Sequence, residues 1–179
     1  MIEELKHVKF GPIFRDRYYA MTSRMGDARD YSSFGGKVND LHEGSDYDIV
    51  MDAPNVEVCS VYPGDVYALR QTKGYGLSVK TKHYLGNNKV FYLVYAHLER
   101  FLVSEGDEIW EGKPLGILGS TGNSKGKHVH LTMQVPLLGS TKYIVKEVVD
   151  PDQFFNGHTH TVGGLITSQR WEPYAYPTL

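Results

Sequence analysis

His128 and His130, separated by one valine, and His42 and Asp46, separated by Glu43-Gly44-Ser45, are the residues whose types and spacing fit metal chemistry. Side chains two apart on a strand share a face, so both imidazoles of His128-Val129-His130 can look into one pocket. His42 and Asp46, four apart, also share a face, and Gly44 between them favours an extended or bent path. A catalytic zinc takes three protein ligands from His, Asp or Glu and leaves its fourth position to water, whose pKa falls to about 7. His42, Asp46 and one of His128 or His130 meet that requirement, and spacing alone leaves either histidine of the pair eligible. Amide hydrolysis also needs proton transfer and oxyanion stabilisation, work that imidazole performs near neutral pH. The unused histidine of the pair and His97, in Tyr95-Ala96-His97-Leu98, are the candidates. Asp48 shares the strand parity of Asp46 and is the rival carboxylate, with Asp52 close by.

The elements that must position these residues read as strands. From about residue 47 to 135, short apolar segments alternate with turn signals at roughly ten-residue intervals, the pattern of an antiparallel sheet or sandwich. Strands are expected at 56–61, 66–71, 76–83 and 90–96, with Asn87-Asn88 turning a hairpin between the last two. Residues 103–116 repeat a Gly-acidic-apolar cadence that suits two short strands around tight turns. Gly119-Ser120-Thr121-Gly122-Asn123-Ser124-Lys125-Gly126 is a loop whose glycines let backbone approach a ligand, and it leads straight into His128. Asp150-Pro151 starts a short capped helix. Residues 1–40 read as an irregular lead-in. The fold class is therefore mainly β, an antiparallel sheet or sandwich with little helix, whose long loops form a groove over the site. Residues 1–20 are expected as an N-terminal extension, 21–155 as the domain and 156–179 as a C-terminal tail.

Size and charge exclude several functions. A chain of 179 residues fits one domain and buries a working core. Nineteen basic against 21 acidic residues leave a formal charge of -2, so no global basic field favours nucleic acid or an anionic membrane. Cys59 is the sole cysteine, which rules out an intramolecular disulfide and a Cys-based zinc site, and reads as a small strand residue. The start Met1-Ile2-Glu3-Glu4 is acidic where a secretory signal is basic, and no apolar run spans a bilayer.

The ordered set His42-x-Gly44-x-Asp46, Gly74-Tyr75-Gly76, Tyr95-Ala96-His97-Leu98, Val103-x-x-Gly106-Asp107, Gly112-x-x-Leu115-Gly116, Gly119-x-Thr121-Gly122 and His128-x-His130-Leu131 resembles the lysostaphin-type (LytM-type) zinc metallopeptidases over residues 20 to 135. Thr22-Ser23-Arg24-Met25-Gly26 is similar to that family's segment before its first ligand, with Met25 where an aromatic is commoner. The resemblance implies one zinc ion per chain, held by His42, Asp46 and His130, with His97 and His128 lining the site as catalytic residues. It implies hydrolysis of peptide bonds in the stem or cross-bridge of bacterial peptidoglycan. The chain departs from the family after Asp46, where a Gly-small-Pro-Val step is usual and Asn55-Val56-Glu57-Val58 stands instead.

The remaining histidines read as structural or peripheral: His83 before the hairpin turn, His158 and His160 in a glycine-bearing tail, and His7 without supporting context. Retention of all five polar positions argues against the family's metal-free binding or partner-activating modules, the alternative function. The hairpin cadence at 103–116 also occurs in carrier domains, but no suitably flanked lysine stands at its tip. In the absence of a signal, the chain resembles enzymes carried by bacteriophages, either in a virion or released at lysis, and acting on the bacterial cell wall. Trp171, Tyr174 and Tyr176 are expected to pack back onto the domain.

Overall fold

The structure, a computed structural model, describes residues 3–15, 18–30, 32, 38–136, 146–155 and 165–167. Among the described residues fourteen strands succeed one another as β1 (Tyr18–Ser23), β2 (Ala28–Asp30), β3 (Val38–Leu41), β4 (Ser45–Ile49), β5 (Glu57–Cys59), β6 (Gly64–Thr72), β7 (Gly76–Tyr84), β8 (Val90–Leu98), β9 (Arg100–Phe101), β10 (Glu108–Ile109), β11 (Pro114–Ile117), β12 (Val129–Pro136), β13 (Lys146–Val149) and β14 (Leu165–Thr167). The described residues include the 3-10 turns Glu3–His7 and Pro151–Phe154, the second capped by the Asp150 carboxylate as its sequence predicts. None of the described helices is long and apolar enough to cross a membrane.

The main sheet runs β10-β6-β7-β8-β12-β4-β1-β14, with β13 also paired to β12, and its pairings are antiparallel. A second sheet, β5-β11-β9, contributes Val58, Leu115 and neighbours to the same apolar core as Leu93, Tyr95, Val129, Leu131 and Met133 of the main sheet. The alternation of β8 and β12 produces this division: Phe91, Leu93 and Tyr95 face the core, and so do Leu131 and Met133, while His130 and Ala96 face away as register partners. Cys59 is buried in β5, in keeping with a small strand residue.

The irregular lead-in expected for residues 1–40 is corrected. Its strand β1 sits inside the main sheet between β4 and β14, with Tyr19 and Met21 fully buried. Leu5, Val8, Phe10, Ile13 and Phe14, from the expected extension, belong to the shared core. Phe10 alone contacts the rings of Tyr62, Phe91, Phe154 and Phe155. The expected tail contributes β14 at the edge of the sheet, while His158, His160, Trp171, Tyr174 and Tyr176 lie outside the described residues.

The turn chemistry is local. Asn87 and Asn88 take φ of 61° and 58°, the left-handed pair that a two-residue primed hairpin turn demands and that asparagine tolerates. Asn55, at φ 52°, makes the step into β5 where the family's usual sequence is missing. His83 is fully buried behind the hairpin: its Nδ1–H donates to the Pro63 carbonyl at 2.8 Å and its Nε2 accepts from the Thr81 hydroxyl at 2.6 Å. Its ring stacks on Phe91, so the structural reading of this histidine stands.

Two unfolding measurements test this packing. Phe10→Ala should cost about 3–5 kcal/mol by urea unfolding, the price of emptying an aromatic core site, whereas a merely appended segment would cost almost nothing. Burial pushes the His83 imidazole down to about 4, against the opposing Pro63 hydrogen bond and Asp65 charge. The unfolded chain, near 6.5, therefore binds the extra proton between those values, and stability is complete above about pH 6.5 and lost as pH falls toward 4. His83→Gln should remove up to about 3 kcal/mol of that pH dependence, read as the wild-type minus variant unfolding free energy across the interval.

Candidate metal centre

The ladder between β4 and β12 places Asp46 directly opposite His130, and the next ladder places His130 opposite Ala96. Directly opposed side chains on one face stand about 5 Å apart at Cβ, within reach of each other's polar atoms. Asp46 Oδ1 and His130 Nδ1 are 2.9 Å apart. His42 enters from the bend between β3 and β4, its Nε2 lying 2.8 Å from His130 Nδ1 and 3.1 Å from Asp46 Oδ1. All three side chains are buried. Gly44 permits this approach, because a Cβ there would collide with the Leu131 carbonyl and stand 2.9 Å from the His130 ring.

The donor set fits a tetrahedral divalent ion. Bonds of about 2.0–2.2 Å at tetrahedral angles put neighbouring ligand atoms about 3.3–3.5 Å apart, slightly wider than this triangle. Outer hydrogen bonds select the inward atoms. His42 Nδ1–H donates to the Arg24 carbonyl at 2.8 Å, which leaves Nε2 with its lone pair toward the triangle. With His130, Thr132 Oγ1 lies 2.8 Å from Nε2, so Nδ1 is the inward atom. Burial alone would raise the Asp46 carboxyl, but the adjacent His130 and His42 imidazoles outweigh it and hold the group well below the usual carboxylate range. Burial likewise pushes the His130 imidazole down, favouring the neutral ligand form.

Two further imidazoles border the triangle. The His97 and His128 rings are 4.7 Å apart at their centroids, and His97 stands 6.0 Å from His130. His97 Nδ1–H donates to the Thr121 carbonyl at 2.7 Å and His128 Nδ1–H to the Gly126 carbonyl at 3.0 Å, an arrangement that places the lone pair of each neutral ring on Nε2. His128 Nε2 lies 3.8 Å from Asp46 Oδ1. Burial pushes His97 down to about 4, with the Thr121 hydrogen bond opposing. His97 also has φ of 62°, a left-handed conformation costing about 1–3 kcal/mol that turns its ring out of the strand's alternation. These groups open onto a groove of about 910 Å³ walled by Glu43, Tyr75, Asn123 and Lys127.

The five residues expected from sequence are thus brought together, and the choice between His128 and His130 falls on His130 as the residue within the triangle. Asp48 lines the groove one step further along β4 and does not join it. Sequence reasoning passed over Arg24, whose carbonyl orients His42, and Thr132, which orients His130. The i+2 spacing of Thr132 from His130 on one strand face was the available signal.

The buried His-Asp-His triangle on the floor of an open groove could hold a metal ion. The chain belongs to peptidase family M23, whose pattern matches residues 40–148. It is 29% identical over 118 residues to the peptidoglycan DD-endopeptidase ShyB of Vibrio cholerae, covering 66% of this chain and 26% of that protein. The chain therefore spans about a quarter of that relative's length. Among solved structures, the catalytic domain of EnpA, a prophage-encoded M23 protein from Enterococcus faecalis, is 28% identical with a TM-score of 0.57, covering 80% of this chain and 95% of that one. The catalytic domain of lysostaphin from Staphylococcus simulans shares the fold at 23% identity and a TM-score of 0.57, covering 76% and 91%.

Thr132→Val keeps the shape of the β12 face and removes the hydrogen bond to His130. Zinc affinity, measured by competition with a chromophoric chelator, should fall about 10–100-fold while the fold is retained. An unchanged affinity would show that His130 needs no outer partner.

Proposed function

We propose that this chain is a zinc-dependent endopeptidase that cleaves peptide bonds in the stem or cross-bridge of bacterial peptidoglycan, with one ion per chain at His42, Asp46 and His130. The observation that carries this reading is the convergence of one carboxylate and two imidazole lone pairs at a buried point on the groove floor. The likeness to ShyB, named a peptidoglycan DD-endopeptidase, supports the substrate class. Zinc bound there supplies a Lewis acid that polarises a carbonyl oxygen and acidifies water. The chain's own residues do the rest. The groove holds an extended peptide across the triangle, and its walls exclude bulk water from the floor. His97 and His128, each tied through Nδ1–H to a carbonyl, present Nε2 to the groove, where a lone pair accepts a proton from the attacking water and returns it to the leaving amine. Acting as imidazolium, either ring also stabilises negative charge on the carbonyl oxygen.

We also propose delivery by a bacteriophage, in a virion or at lysis; the likeness to the prophage-encoded EnpA supports the phage origin alone. The site of action is then the bacterial cell wall.

Purified sacculi of several cross-link types, digested with and without a chelator and analysed by mass spectrometry, test the activity and identify the bond. Wild type should release peptide fragments in a chelator-sensitive way, and His42→Ala and His130→Ala should lose both zinc and release. His97→Ala should keep its zinc and turn over about 10²–10⁴-fold more slowly. Release by His130→Ala at the wild-type rate would sink the metallopeptidase reading, and a fully zinc-loaded protein inert on every sacculus would point to a binding module.

A further inference from the structure

Two glycine-bearing segments outside the five site residues, 74–76 and 119–122, meet at His97. The main-chain N–H of His97 donates to the Tyr75 carbonyl at 2.9 Å, and its ring donates to the Thr121 carbonyl at 2.7 Å. One segment thus holds the backbone of the histidine and the other its side chain. The Thr121 hydroxyl stands at the junction: it donates to the Leu98 carbonyl at 2.8 Å and accepts from the Leu77 N–H at 2.9 Å. It therefore ties the loop to the last residue of β8 and to the start of β7. Asn123 N–H adds a bond to the Gly74 carbonyl at 2.8 Å. The segments interlock without room for a side chain, since a Cβ on Gly76 would collide with Thr121 and one on Gly122 with the backbone of Gly74 and Gly76.

We infer that Thr121 is the positioning residue for His97. By bracketing Leu77 and Leu98, its hydroxyl fixes the carbonyl that holds the imidazole in its Nδ1-protonated tautomer with Nε2 turned into the groove. His97 needs such a hold because its left-handed backbone carries strain that persists only where the surrounding structure fixes it. A residue that merely stabilised the loop would affect melting and leave tautomer and turnover alone. The inference rests on the catalytic reading of His97 given above.

Zinc-loaded wild type, Thr121→Val and Thr121→Ser are compared by ¹⁵N NMR of the histidine rings and by steady-state hydrolysis of a soluble cross-linked muropeptide that wild type cleaves. Wild-type His97 should carry its proton on Nδ1. Thr121→Val should show a tautomer mixture and a kcat lower by about tenfold or more, with KM within about twofold and zinc content unchanged. Thr121→Ser, which restores the hydroxyl, should recover kcat to within about threefold of wild type. A wild-type His97 protonated on Nε2 overturns the assignment without recourse to any variant. So does Thr121→Val at the wild-type kcat, or Thr121→Ser as impaired as Thr121→Val. His97→Ala at the wild-type kcat would instead overturn the catalytic reading of His97, whatever the Thr121 variants do.

Discussion

The antiparallel register between β4 and β12 is the constraint on which the site depends. A slip of one residue would turn Asp46 into the core and Tyr47 into the groove, because successive side chains alternate faces. The register is held by the apolar side chains beneath it. Tyr47, Val129, Leu131 and Met133 are fully buried on the opposite face, so the apolar cost of a slip protects a polar arrangement that contributes little stability of its own. Beyond β4, the polar side chains beside Asp46 are also anchored: Ser45 and Tyr47 both donate to the Asp152 carboxylate in the 3-10 turn after β13.

Around this fixed pair, the other parts are loops fastened by hydrogen bonds. His42 arrives on a bend, and its ring is oriented by Arg24, the residue immediately after β1. The strand β1 therefore serves the site as well as the sheet, since its end delivers the carbonyl that decides which nitrogen of His42 faces inward. His97 and His128 are oriented in the same way by carbonyls of the loop at 119–126. One chemical device, an Nδ1–H given to a main-chain oxygen, recurs at three of the four site histidines and leaves three Nε2 atoms directed inward.

Much of this was legible in sequence where period and punctuation agreed. The strands β6, β7 and β8 have apolar stretches bounded by Gly, Asn and Pro, and the observed ends extend the expected ones by no more than two residues. The lead-in hid its structure because Tyr19 and Met21 make only two inward positions, and Gly26, Gly35 and Gly36 interrupt the pattern between β1 and the first ligand. Short-range pattern cannot reveal that Phe10 will meet Phe154 and Phe155, more than 140 positions away along the chain. At the site, parity narrowed the candidate ligands to a few, and it is the pairing of β12 with β4, a long-range fact, that sets His130 rather than His128 opposite Asp46. The direction of His97 was not legible either, because strict alternation would have sent it to the same side as Tyr95.

The two histidines of the triangle use different ring nitrogens, His42 its Nε2 and His130 its Nδ1. An ion held through Nδ1 would rest closer to its own main chain than one held through Nε2, so a metal bound here would lie against the surface of β12 rather than above it. The depth of such an ion would thus be set by a threonine two residues along the same strand. An exchange of hydrogen-bonding partners there could lift the floor while every ligand kept its identity.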